Sequence, residues 1–133
     1  MSDLRLGSTI EYIDQIPDLV AGEDLQPGFV ALDANGEVVM ANAGVNYDQA
    51  APTIGFAPFA ASSGDAVMVV CEGLVFGASD LTAGEPVYLS ATTDGDVQAS
   101  APSTSGDIVQ VVGQAISADR FVIRIDPVYV TAS

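Results

Sequence analysis

DLQPGFVAL at residues 24–32 and DLTAGEPVYL at residues 80–89 are two versions of one phrase: Asp-Leu, two turn-type residues, Gly, then an apolar-rich run ending in Leu. Their starts lie 56 residues apart, from 24 to 80. Weaker matches follow downstream: Gly36-Glu37-Val38 with Gly95-Asp96-Val97, Ile54 to Ala57 with Val112 to Ala115, and Val67 to Val70 with Phe121 to Arg124, at separations of 59, 58 and 54. Changes in loop length produce that drift. A self-similar unit of this size marks a supersecondary module, and two copies point to one domain of two similar β-modules rather than a solenoid. The expected organisation is an arm over 1–22 and a single β domain over 23–133, with the repeat spanning about 23–77 and 78–126.

From residue 23 onward Val, Ile, Phe, Tyr and Thr gather in short runs punctuated by Gly, Pro, Asn and Asp, the signature of strands and turns. The expected strands of the first copy are 29–32, 38–41, 53–56, 66–71 and 73–77, and those of the second are 86–90, 97–99, 109–117 and 121–125. Asn35-Gly36 and Asp94-Gly95 are hairpin dipeptides, because both supply residues tolerant of positive φ. Stretches 43–52 and 100–106 read as surface loops. The fold class is mainly β: a small barrel or sandwich built from two similar β-modules, with an extended N-terminal arm. In the arm, Pro17 would end any helix, and one strand is expected around 8–13.

A chain of 133 residues, 49% of them apolar, has the size and composition for one real hydrophobic core. Its charge is lopsided: 18 acidic residues face only Arg5, Arg120 and Arg124, with no Lys and no His, for a net charge of −15. That field repels phosphate backbones and anionic lipid surfaces, so neither nucleic acid nor membrane is an expected partner. An acidic solvated surface keeps the protein dispersed, and adaptation to a saline habitat is compatible with it. Residues 1–7 lack a basic stretch followed by an apolar one, and no window approaches the roughly 18 apolar residues of a membrane span. Synthesis in a cytoplasm without export by an ordinary leader is therefore expected.

Little in the chain supports catalysis. Ser-His and Cys-His pairs need a His, and Schiff-base or Ser-Lys chemistry needs a Lys. Two carboxylates alone suffice for glycoside hydrolysis, but a sugar cleft also favours aromatic platforms, and there is no Trp. The single Cys71 allows no intramolecular disulfide and reads as a small buried hydrophobe. Asp94-Gly95-Asp96 looks like a fragment of a calcium loop, but the further oxygen ligands are missing at the required spacing, so a hairpin turn is the simpler assignment. Asp119 and Asp126 read as solvated or paired with Arg120 and Arg124. No enzyme activity, metal or cofactor is expected. Phe56, Phe59 and Phe76, near strand ends, read as core, with an apolar subunit contact as the alternative.

PTIGFAPFAASSGDAVMVVCEGLVFGASDLTAGEPVYLSATTDGDVQ, residues 52–98, resembles the capsid decoration proteins of tailed bacteriophages, also called cement or head-stabilising proteins. The resemblance lies in a Gly-Phe-Ala strand at 54–57, a small-residue turn at 60–64 closed by Asp65, an alternating apolar strand at 66–71 running into 72–76, and the Gly-Glu-Pro-Val-Tyr phrase within 83–88. It extends over about 23–126; the arm has no counterpart, and the absence of Lys departs from the usual composition of these proteins. It implies a non-enzymatic virion protein that joins the expanded capsid late. Such proteins often sit as homotrimers over threefold positions and clamp the major capsid protein against internal DNA pressure.

On that resemblance the outer capsid surface is the expected location, and Leu4, Arg5, Leu6, Ile10, Tyr12, Ile13 and Phe59 are the expected capsid or protomer contacts. Two other functions fit the same residues. A head-binding module of a phage fibre or spike shares the Gly-Glu-Pro-Val-Tyr-Leu phrase, and a carbohydrate-binding β-sandwich would need an exposed aromatic platform.

Overall fold

The computed structural model describes residues 15–44 and 52–133. Among these the chain forms strands and no helix. In chain order the strands are β1 (Gln15–Val20), β2 (Gly28–Leu32), β3 (Val38–Met40), β4 (Gly55–Ala57), β5 (Ala66–Val70) and β6 (Leu74–Phe76). They continue with β7 (Pro86–Leu89), β8 (Val97–Gln98), β9 (Ile108–Val109), β10 (Val111–Ala115), β11 (Arg120–Ile123) and β12 (Val130–Thr131). The protein is mainly β, built as curled antiparallel sheets.

Two five-stranded sheets share one wiring. The first runs β1-β5-β4-β2-β3 and the second β6-β11-β10-β7-β8, so in each the opening strand lies at an edge beside the closing strand. The short β12 pairs separately with β9. Strand β6 thus stands in the second sheet where β1 stands in the first. The sequence placed 73–77 in the first copy, but its ladder with β11 assigns it to the second sheet. Repetition of local phrases could not show this, because the join at Cys71 to Gly73 is too short to read as a boundary.

The first sheet curls until its edges meet: Ala21 bridges Val38 in parallel, and the Gly22 amide donates to the Val38 carbonyl at 2.8 Å. Alternation then sorts the side chains. Val30, Val38, Ala57, Val67 and Val69 fill the interior of this closed module, with Leu25 and Ala21 sealing it. Phe29, Ala31, Phe56 and Val70 point the other way. They pack on Val87, Leu89, Val112, Phe121 and Ile123, the concave face of the second sheet. The second module is thus a half-barrel whose core is completed by the outer face of the first.

Each sheet also carries a glycine where the next strand's side chain crosses its backbone: Gly55 beneath Val69 and Gly113 beneath Phe121. A Cβ on Gly113 would lie 2.6 Å from Phe121 Cδ2 and 2.6 Å from the Val122 carbonyl oxygen, and the latter cannot move aside cheaply. Gly113→Ala should therefore cost roughly 2 kcal/mol by overpacking, read as a lower urea midpoint at unchanged slope.

Strand β1 lies within the stretch expected to be an arm. Its proline is tolerated because β1 is an edge strand and bulges. Leu19 faces Val67 and Ile16 faces Val69, so Pro17 and Asp18 together oppose Met68 alone, with Asp18 at φ 63°. The strand expected at 8–13 lies outside the described residues. The run 109–117 divides into β9 and β10 at Gln110, whose side chain turns inward. Of the stretch read as a loop over 43–52, Ala43 is instead fully buried, its amide donating to Ser90 and its carbonyl accepting from Ile108.

Candidate functional site

Polar pins at two places join the modules. At the first, the Asp94-Gly95 turn between β7 and β8 reaches across to β2 and β3. The Phe29 amide donates to the Gly95 carbonyl at 2.9 Å, and the Gly95 amide donates to Ala41 at 2.7 Å. Asn42 Nδ2 donates to Asp94 Oδ1 at 2.9 Å, and the Val97 amide donates to Asp96 Oδ1 at 2.7 Å. Gly95 holds φ 72°, a conformation that costs other residues dear, and its Cα faces the Phe29 backbone. Both carboxylates of the Asp-Gly-Asp triplet are thus engaged in the hairpin and its docking.

The second pin is Gln110, 1% exposed. Its Oε1 accepts from the Thr53 amide at 2.8 Å, while Nε2 donates to the Thr53 carbonyl at 3.2 Å and to the Asp126 carbonyl at 3.0 Å. The side chain imitates a strand neighbour for Thr53, closing a gap that no strand among the described residues fills. Other acidic side chains also act as backbone acceptors: Glu23 takes the Met40 amide, Asp24 the Ser63 amide, Asp33 those of Asn35 and Glu37, and Asp126 that of Val128. The expected partner for Arg120 is present but weak. Its Nε lies 3.9 Å from Asp119 Oδ1 and 3.2 Å from Ser117 Oγ, in a solvated setting where such a pair contributes little.

Two clefts flank the pins. The larger, about 470 Å³, is walled by Ile54, Cys71, Ile125, Pro127 and Tyr129, with Thr53 and Gln110 at its back. Its two buried polar groups are already bonded to each other, which leaves an apolar wall. Cys71, expected to be buried, is half-buried here. The smaller cleft, about 240 Å³, lies where β6 faces the β7–β8 turn, with Phe29, Phe56 and Phe121 as its floor and Phe76 at its rim. Among the described residues no group of three or more His, Cys, Asp or Glu is placed to hold a metal ion.

Of the expected contact residues, the structure places Phe59 on the turn between β4 and β5, 64% exposed. Leu4, Arg5, Leu6, Ile10, Tyr12 and Ile13 lie outside the described residues. The three phenylalanines separate: Phe56 is half-buried edge-on to Phe29, whereas Phe59 and Phe76 (67% exposed) are not core. Three exposed apolar residues escaped the sequence reading: Val128, Tyr129 and Val130, the first 72% exposed. The β-branched and aromatic run Val-Tyr-Val is their local signal, and it lies beyond the last repeat phrase. No known protein family matches the chain, and no curated protein matches it.

Proposed function

We propose that this is a structural virion protein that binds the outer surface of an expanded phage capsid and stabilises it, acting as a homotrimer on the major capsid protein. The observation that carries the proposal is the surface. On a body with net charge −15, Phe59, Phe76, Val128 and Val130 stand 63–72% exposed at separate turns and edges. Scattered apolar side chains on a rigid β scaffold suit a protein that touches several neighbours at once. In a lattice each modest contact is multiplied by effective concentration. The strong negative field disfavours nucleic acid and anionic membranes and keeps coated particles apart. The phrases at 52–98 that resemble decoration proteins support the same reading. Phe59, with Leu4, Arg5, Leu6, Ile10, Tyr12 and Ile13 of the arm, are the contacts we assign to the capsid or a neighbouring protomer.

The test is direct addition of the purified protein to expanded heads that lack an outer protein. Saturable binding and a higher temperature of head disruption are expected, and Phe59→Ser should weaken occupancy about tenfold, the effect of losing one apolar anchor. No binding at saturating concentration overturns the proposal. Sedimentation at moderate salt should give the mass of a trimer.

A further inference from the structure

The convex outer face of the second sheet differs from the rest of this acidic surface. We infer that a second copy of the chain docks on it, presenting the acidic end of its own first module. Strand alternation sorts the face. Val75, Ala115, Phe121 and Ile123 pack in the core, so the residues beside them in each strand point outward. Leu74, Phe76 and Ile116 are the result, 42%, 67% and 42% exposed. They belong to adjoining rungs of one ladder. Leu74 pairs with Val122, Val122 with Gln114, and Gln114 with Pro86, a rung that runs from β6 to β7. On the next rung Phe76 pairs with Arg120, whose carbonyl accepts from the Ile116 amide.

Charge selects the occupant. The chain has 18 acidic residues and three arginines, yet none of these outward strand residues is acidic, and Arg120 is among them. Arg124 continues the outward alternation past Ile123 and is exposed. Arg120 holds a long contact to Asp119, and Arg124 makes no ion pair among the described residues. An apolar face that carries cations fits an acidic partner and repels its own like, so it meets a different surface. The chain supplies one where its first sheet closes at Ala21 and Gly22. Glu23 and Asp24 follow directly, the Asp65 carbonyl accepts from the Ala21 amide, and a Cβ on Gly22 would lie 3.1 Å from Asp33 Oδ2 and 3.0 Å from Glu37 Cβ. No Lys or Arg occurs between Arg5 and Arg120, so the described first module carries no cation of its own. Two chains of charge −15 repel at long range, and this pairing sets opposite charges and apolar area together at contact. The first module packs on the concave side of the second sheet, which leaves the convex side to the neighbour. Such a contact is head to tail and closes into a ring where the rotation permits. The inference rests on the self-association proposed above, but not on capsid binding.

Sedimentation equilibrium of the full chain tests it, with urea unfolding of each variant as the check on folding. The wild type should associate, and Arg124→Glu should weaken association at least about 100-fold by setting like charges against each other. Adding Glu37→Arg and Asp65→Arg to the Arg124→Glu chain should restore association, a result that misfolding cannot give. A wild type that stays monomeric at its highest soluble concentration overturns the inference. So does association that Arg124→Glu leaves intact, or that the charge-swapped chain fails to regain. Addition of the same proteins to expanded heads separates this inference from capsid binding. Association without head binding supports the docking face while the capsid reading fails. A monomeric wild type whose head occupancy falls with Arg124→Glu assigns the face to the capsid protein, which overturns the inference and leaves capsid binding standing.

Discussion

Gln110→Glu should lower stability by roughly 3 kcal/mol at neutral pH, with a deficit that shrinks as the solution is acidified. The side chain is fully enclosed, and its amide group serves three backbone partners. An ionised carboxylate can still accept from the Thr53 amide. It cannot donate, however, so it faces the Thr53 and Asp126 carbonyl oxygens as a buried charge against two acceptors. Leaving such groups unsatisfied costs about 1–3 kcal/mol each, and more beside a charge. The sign of the pH effect follows. Burial raises the introduced carboxyl above its ordinary value of about 4.3 in the folded state only. Below that ordinary value both states are protonated and only the loss of one donor remains. Between it and the raised folded value, the deficit relative to wild type grows by about 1.4 kcal/mol per pH unit, and above that it levels off. Gln110→Leu is the control: it removes all three bonds and should be destabilising by a similar amount, with no pH dependence of its own. Denaturation of the three proteins at several pH values checks this. A Gln110→Glu deficit that does not vary with pH would mean that water reaches the site and solvates the charge.

Gln110 also shows where sequence reading stops. Within the apolar run 109–117, one glutamine looks like a polar position on the wet face of a strand. Only the tertiary partner, Thr53 of the other module, turns it inward and splits the run into two strands. The duplicated phrases, the hairpin dipeptides and the β-branched runs were legible because each is a local signal. Strand β1 was not, because Pro17 and Asp18 carry strong breaker signals, and a bulged edge is a context that no local pattern announces. The membership of β6 was likewise invisible: Gly73 to Gly77 follows β5 without a linker and yet belongs to the next sheet. For the candidate contacts, the aromatic residues were found but not sorted. Composition cannot distinguish Phe56, turned onto Phe29, from Phe59 three residues later, turned to solvent.

The second large effect is expected at Phe29, and its form matters as much as its size. Phe29→Ala should cost about 3–5 kcal/mol, the range for deleting a buried aromatic ring, and lower the melting temperature by roughly 10–20 °C for a domain this long. The ring is fully buried, edge-on to Phe56 at 5.0 Å and stacked on Phe121 at 6.0 Å, with an interplanar angle of 22°. It belongs to β2 of the first module, yet it points out of that module's interior and into the open concavity of the second. The closed first module keeps its own core in the variant, since Val30, the next residue, faces that interior. The half-barrel loses its lid. If the modules were separate folding units, removing the ring would split the unfolding curve, with the second module melting early. One cooperative transition at a lower midpoint is the expected outcome, because the Gly95 and Gln110 pins hold the modules together at either side of the missing ring. The stack itself can be isolated by a double-mutant cycle. Phe29→Ala with Phe121→Ala should cost less than the two singles combined, by about 1–2 kcal/mol, since either deletion already abolishes the ring pair. Strict additivity would mean that each ring packs on the aliphatic wall and ignores the other. The modules would then be held by burial and the backbone pins alone.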